Sequence, residues 1–298
     1  MKMFLALTKR NIKMFFKDKG MFFTSLITPV ILLVLYATFL ASVYHDSFVS
    51  SMPDGFFVPD KLINATVGGE LISSLLAVSC VTVAFCSNLL MVQDKISGAR
   101  KDMLITPVKK PTLAISYYVA SLLTTLIISY TAMAAGFIYL AIRGWYLSFA
   151  DVILVIVDVF LLTMFGVAIS SVVNVFLSTQ GQASAVGTIV SAGYGFICGA
   201  YMPISNFGEG LRNVLSFLPG TYATSIIRNH CLNGVYNEMS DAGMPSEVIE
   251  NIKSSIDCNL YFFGNKVEIG TMYVILISSI ILLIGAFVLI NALWKKKN

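Results

Sequence analysis

"LISSLLAVSCVTVAFCSNLLMVQDKISGARKDMLITPVKKP", residues Leu71–Pro111, joins two kinds of chain end to end. Leu71–Gln93 carries no charge. Asp94–Pro111 packs in five cations (Lys95, Arg100, Lys101, Lys109, Lys110), two anions (Asp94, Asp102) and two prolines. An uncharged run of roughly 20 residues is what about 30 Å of hydrocarbon requires. A basic island directly after it marks where such a run emerges from the membrane.

The rest of the chain agrees. Of 298 residues, 57% are hydrophobic and 12% charged, and mean hydropathy is +0.81. Soluble domains carry about 25% charged residues. The sequence therefore predicts an all-α polytopic membrane protein forming one transmembrane domain over 1–298. Six spans are expected at 20–44, 68–92, 113–142, 152–177, 183–201 and 269–294. The first apolar run is too long for a signal-peptide core and has no clear cleavage site, so no cleavable leader is expected.

Lysine and arginine set the orientation, because cytoplasmic loops are enriched in them. With the N-terminus inside, the first segment (Lys2, Lys9, Arg10, Lys13, Lys17, Lys19), the 93–111 loop and the Lys295–Lys297 tail place fourteen of the 20 basic residues on the cytoplasmic side. Both termini are then cytoplasmic, as an even number of spans requires. The location implied is the plasma membrane, multi-pass.

Two segments do not read as spans. In 1–19, Phe4, Leu5, Thr8, Ile12, Phe15 and Phe16 gather near one helical face, with Lys9, Arg10, Lys13 and Lys17 mostly elsewhere. That pattern suits a helix lying in the membrane interface; an ordinary basic flank of the first span is the plainer reading. Residues 202–268 begin too apolar for a free loop, yet Pro203, Gly208, Gly210, Pro219 and Gly220 break them up. Leu211–Leu218 and Thr221–Ile227 are too short to span. An extracellular re-entrant helical hairpin and loop is expected, since broken backbone at membrane depth must be buried by protein or line a cavity.

No phosphate-binding loop, HExxH or GxSxG is present. His45 and His230 read as solvated loop histidines, the thirteen methionines as apolar filler, and the five cysteines fit no metal pattern. The sequence offers no catalytic constellation, so it is not expected to be an enzyme, and nothing points to nucleic acid. Cys231 and Cys258 both fall outside the membrane in this topology, where a bridge between them would clamp the outer loop; two free thiols are the alternative. Asp158, inside the fourth span, should face protein or water, with Arg212 or Arg228 as candidate partners.

An interfacial basic helix, six spans, a loop between spans two and three and a hairpin before span six resemble the ABC-2 type permeases, the membrane subunits of ATP-binding-cassette exporters. The most specific match is Asp94, Gly98, Met103–Leu104–Ile105, Thr106–Pro107 and Lys109–Lys110, followed by Pro203 and Pro219 after span five. The chain departs from the family at Gln93–Asp94, where glutamates are common. The resemblance implies that Asp94–Ile105 is a coupling helix docking on a separate ATPase, with Asp94, Ile96, Gly98, Arg100, Met103 and Pro107 as its residues. It implies that spans two and five line the path, with candidates Ser79, Thr82, Phe85, Asn88, Thr188, Ser191, Tyr194 and Phe196 beside Asp158. It further implies a dimer of permease chains, homo- or heteromeric, embedded in membrane lipids, with two separate nucleotide-binding subunits holding ATP and Mg. The cargo expected is amphipathic or lipid-like (a drug, antimicrobial peptide or lipid). Cell-wall glycan precursors are the alternative, and a self-sufficient secondary transporter or channel is the competing class. That class usually shows inverted repeats and several buried ionisable groups, whereas the sequence shows no repeat and no more than one charge deep in an expected span.

Overall fold

The computed structural model describes residues 1–50 and 59–293. The end of the last expected span at Trp294 and the Lys295–Lys297 tail lie outside the described residues. The architecture is a helical bundle with one small β-hairpin. Its elements are α1 (Lys2–Lys17), α2 (Lys19–Leu35), a π turn (Tyr36–Leu40), α3 (Ala41–Ser50), α4 (Asp60–Ile96), α5 (Ala99–Ile105), α6 (Lys110–Arg143) and α7 (Phe149–Phe176). They continue with α8 (Gln180–Ile197), a 3-10 turn (Ile204–Asn206), α9 (Glu209–Leu215), α10 (Pro219–Asp241), α11 (Ser246–Ser255), the antiparallel pair β1 (Leu260–Phe262) and β2 (Asn265–Val267), and α12 (Ile269–Leu293).

The stretch quoted above forms most of the bundle's axis. At 1.5 Å per residue, the 37 residues of α4 reach about 55 Å, longer than the hydrocarbon is thick. Helices α2, α6, α7, α8 and α10 pack around it, and nearly all of its side chains from Leu62 to Val92 are buried. Small residues let the neighbours come close. A Cβ on Gly166 of α7 would sit 2.9 Å from the Cys80 carbonyl of α4, so glycine there allows near backbone-to-backbone contact.

Five helical stretches among the described residues are long and apolar enough to cross a membrane: Lys19–Asp46, Asp60–Ile96, Lys110–Arg143, Phe149–Phe176 and Ile269–Leu293. The first runs unbroken through Pro29 and the π turn. The expected span at 183–201 corresponds to α8, an 18-residue helix opening on Gln180 and Gln182 and falling outside that apolar set.

The largest departure from expectation is the segment before α12. Instead of two short dipping helices, α9 is a single short helix, while α10 runs for 23 residues. Helix α10 is wedged against α4, α7 and α12 and buries Thr221–Arg228 in succession. Its polar composition hid it from a reading by hydropathy, because its partners are protein side chains rather than lipid. The polar groups along it are spent on contacts that hold the chain after it in place.

Candidate functional site

Three groups of residues stand out: the foot of the bundle around α5, an open groove along one flank, and a buried polar cluster near the opposite end.

At the foot, Asp94 and Ile96 belong to the last turn of α4 and not to a coupling helix running from Asp94 to Ile105. The chain breaks at Ser97–Gly98, where Gly98 adopts φ 85, a left-handed conformation that glycine reaches without a Cβ clash. Only then does α5 begin. Asp94 is buried: it accepts from Arg10 of α1 (Nη2 to Oδ1 2.9 Å, with Nη1 on the other oxygen) and from the Tyr117 hydroxyl of α6 at 2.5 Å. The Asp94 carboxylate holds the Arg10 guanidinium above its ordinary value. The α1 face buried against the bundle is Thr8, Asn11 and Phe15, leaving Leu5 and Phe16 exposed.

Lys95, next to Asp94, donates from Nζ to the carbonyls of Asn174 (2.8 Å), Val175 (2.6 Å) and Leu177 (3.1 Å). A cation there satisfies the orphan acceptors and the negative end of the α7 dipole. Arg100 donates to Asn291 Oδ1 of α12 at 2.8 Å, and burial lowers its pKa. Met103 and Leu104 pack back on the bundle, but no residue of α5 is fully buried. Ile105 is 84% exposed, and Ile96 and Pro107 also face out. The foot is thus an apolar ridge pinned by fixed cations.

Along the flank, α2, α4 and α8 enclose an open groove of about 780 Å³. Thr24, Thr28 and Ile31 line it from α2, Ser184, Gly187, Thr188 and Ser191 from α8, and Tyr201 closes one end. Thr188 and Ser191 were expected on a path and lie here. The α4 candidates Ser79, Thr82, Phe85 and Asn88 do not: all four are buried in the bundle core. The Asn88 amide donates to Ser170 Oγ (3.1 Å) and Ser171 Oγ (2.7 Å) and accepts from Ser121, tying α4 to α6 and α7. The stripe of α4 that meets the groove is Cys86, Leu89 and Gln93, at i, i+3 and i+7. The hydroxyl-bearing residues of the neighbouring face give the stronger polar signal in the sequence, yet that face is core. Phe196 lies outside, edge-on to Tyr201 at 5.2 Å, and the Tyr194 hydroxyl is buried beside Gly220 with no hydrogen-bond partner among the described residues.

Near the other end, Asp158 is 2% exposed, and its partners are neither Arg212 nor Arg228. Its Oδ2 lies 2.5 Å from Nδ1 of His230 on α10, and its Oδ1 accepts from the Tyr273 hydroxyl of α12. His230 is therefore an internal ligand of a carboxylate and not a solvated loop residue. One turn further along α10, Asn233 donates to Asp151 Oδ1 at 2.8 Å, while Asp151 also completes the capping box with Ser148 at the start of α7. Arg228 points the other way. Fully buried, it donates to Ile256 O (2.5 Å), Ser74 Oγ (3.0 Å) and Gly199 O (3.0 Å), with Glu70 and Asp257 supplying nearby negative charge. Arg212 sits on exposed α9. No sequence spacing reports these pairs, since their partners lie 28 to 154 positions apart.

Cys231 and Cys258 are both free thiols, so the bridge is not formed. Cys231 packs with the α4–α7 core, whereas Cys258 joins a separate cluster with Leu62, Val235 and Met244, its Sγ 3.2 Å from the Tyr236 hydroxyl. Burial pushes the Cys258 thiol up to about 12. Beyond it, Lys266 hydrogen-bonds Glu250 and holds that carboxyl below its usual range.

A bundle built round one buried membrane helix, with a pinned ridge outside it and a groove down its flank, has the build of a polytopic membrane permease. Residues 49–295 match the family described as ABC-2 family transporter protein, and the chain belongs to that family. It is thus a transmembrane permease of an ABC transporter, of the kind that associates with ATP-binding subunits. No curated protein matches the chain.

Proposed function

We propose that the chain is the permease of an ATP-driven exporter for amphipathic or lipid-like cargo, with α5 as the element its ATPase moves. The observation that carries this reading is the foot. An exposed ridge of Ile96, Ile105 and Pro107 is joined to three membrane helices through the contacts of Asp94, Lys95 and Arg100. A push on α5 reaches α12 directly through Arg100 and Asn291, and reaches α4 through the short Ser97–Gly98 turn, from which Asp94 and Lys95 carry it by charge-assisted bonds to α1, α6 and α7. On this reading α5 and both termini face the cytoplasm, and two permease chains pair with two ATPases.

The groove supports the cargo class. Its wall mixes apolar side chains (Ile27, Ile31, Leu89) with small hydroxyl residues, it opens sideways toward lipid, and Asp18, Gln93 and Gln180 give it one polar end. Its volume falls within the range of roughly 300–1,000 Å³ typical of small-molecule sites. Nothing in it resembles the long polar channel that a glycan chain would need.

The test uses Gly187, where an added Cβ meets nothing within 4 Å. Gly187→Leu projects a side chain into the open groove without disturbing packing. In proteoliposomes holding the permease with its ATPase, the variant should assemble normally and lose most of its transport of a long-chain amphiphile. Unchanged transport by that variant would remove the groove from the path.

A further inference from the structure

The far end of the molecule, opposite α5, carries an exposed apolar patch that the transport reading does not use. Leu211, Val214, Phe217 and Leu218 of α9 and its following turn are exposed, as are Tyr261 and Phe263 of the β-hairpin. The rings of Phe217, Phe262 and Phe263 meet edge-on, with centroids 4.9 to 5.9 Å apart. The hairpin turn is the informative part. Phe262 pairs with Asn265, leaving Phe263–Gly264 as a two-residue loop with φ 46 and φ 85. Positive φ at both positions makes this a turn that favours Asn-Gly or Asp-Gly. A phenylalanine is poorly suited to that conformation, and this one is 58% exposed. The chain tolerates backbone strain to hold an aromatic ring at a solvent-facing tip, and strain of this kind tends to sit where a side chain has a job to do.

The neighbourhood says what the ring meets. Glu268 alone separates β2 from α12, a helix apolar enough to span the membrane and largely uncovered by protein. The patch therefore adjoins the end of a candidate span, and the ends of spans are where aromatic side chains favour the membrane interface. Beside the tip is a cavity of about 300 Å³ lined by Glu209, Arg212, Asn213, Tyr261, Phe263 and Gly264. Among the described residues, neither Glu209 nor Arg212 has a side-chain hydrogen bond or ion pair. One turn apart on α9, they offer an acid and a guanidinium above an apolar floor.

We propose that α9 and the hairpin tip are seated in the membrane leaflet at this end, with the head of a zwitterionic aminophospholipid held at its phosphate by Arg212 and at its ammonium by Glu209. Phe263, Phe217 and Leu211 enter the upper acyl region. The seat fixes the α9–hairpin unit against the membrane while the bundle beside it moves.

The test places an environment-sensitive NBD label at Asn265→Cys in full-length chain carrying Cys86→Ala, the remaining native thiols being buried. In phosphatidylethanolamine vesicles the emission should move to shorter wavelength and be quenched by lipids spin-labelled near the head. Phe263→Asn suits the turn, so its melting in detergent should equal or exceed that of the parent. In vesicles it should lower the docked-to-undocked ratio about tenfold, the factor that burial of one phenylalanine supplies. Arg212→Gln should weaken quenching about tenfold, the factor for one hydrogen bond to a charged group, and phosphatidylglycerol should dock the tip less well than phosphatidylethanolamine. Soluble phosphoethanolamine should leave the emission unchanged. Water-like emission in all vesicles, a lower melting temperature for Phe263→Asn, equal docking with every lipid, or a full response to soluble phosphoethanolamine would each overturn the proposal.

Discussion

Arg10, on the first helix, and Asp94, at the foot of the central one, are bound by two hydrogen bonds across 84 positions, with Tyr117 donating to the same carboxylate. This contact fixes the interfacial helix to the bundle. Asp94→Ala leaves a guanidinium and a buried hydroxyl without their acceptor. Removing one partner of a buried ion pair costs about 3–5 kcal/mol, and the partial exposure of Arg10 reduces this toward about 2 kcal/mol. Limited proteolysis should then cut between α1 and α2 much faster than in the parent. Arg10→Met combined with Asp94→Leu should recover much of the resistance, because no unpaired charge remains.

Gly98 separates a backbone effect from a contact effect. A Cβ there meets nothing within 4 Å, yet φ 85 strains any L side chain. Gly98→Ala should cost about 1–2 kcal/mol locally and swing α5 out of line while the bundle stays folded. The expected result is a complex that still assembles, with ATPase turnover largely retained and transport reduced. Equal loss of assembly would show that Gly98 serves the fold rather than coupling.

Asp158 joins three helices through His230 and Tyr273. Asp158→Leu orphans both partners and should destabilise by about 3 kcal/mol. Asp158→Asn keeps a hydrogen-bonding group in place and should cost about 1 kcal/mol. Thermal melting in detergent checks the order. If the asparagine variant melts like the parent but transports poorly, the carboxylate acts during the cycle; if both properties hold, its role is to dock α10.

The thiols give a direct chemical readout. Thiolate is the reactive form, and burial keeps the Cys258 thiol protonated until pH rises to about 12. Maleimide at pH 8 should leave Cys258 of the folded protein unmodified. In denaturant without reductant, all five cysteines should react. Only three reactive thiols under those conditions would mean that Cys231 and Cys258 are bridged.

The membrane class was legible because uncharged runs such as Leu71–Gln93 have few other uses, and the basic island marked their end. Hydropathy could not separate a helix that faces lipid from one surrounded by protein, nor show that Cys86, Leu89 and Gln93 of α4 meet the groove while Ser79, Thr82, Phe85 and Asn88 are core. It also could not find α10, whose Arg228, His230 and Asn233 look like loop residues until their partners are known. Lys95 illustrates the same limit at one position. It counted as one more loop cation, yet it closes the end of α7. The end of α5 at Ile105 falls where Thr106–Pro107 lead one to expect it, because backbone restriction is a local property, whereas Gly98, expected inside a helix running from Asp94, breaks the chain instead. Pairing between side chains distant in sequence is not local, and most of the candidate site is made of it.

The central claim is that the α5 ridge is where an ATPase engages this permease. A photo-crosslinking residue placed at Ile105, the most exposed apolar side chain of that helix, tests it in membranes of cells producing the native complex. The account predicts that illumination joins the chain to a nucleotide-binding subunit, and that Gly98→Ala weakens the product. Crosslinking to lipid alone, together with ion-driven transport by the purified chain without any ATPase, would contradict it.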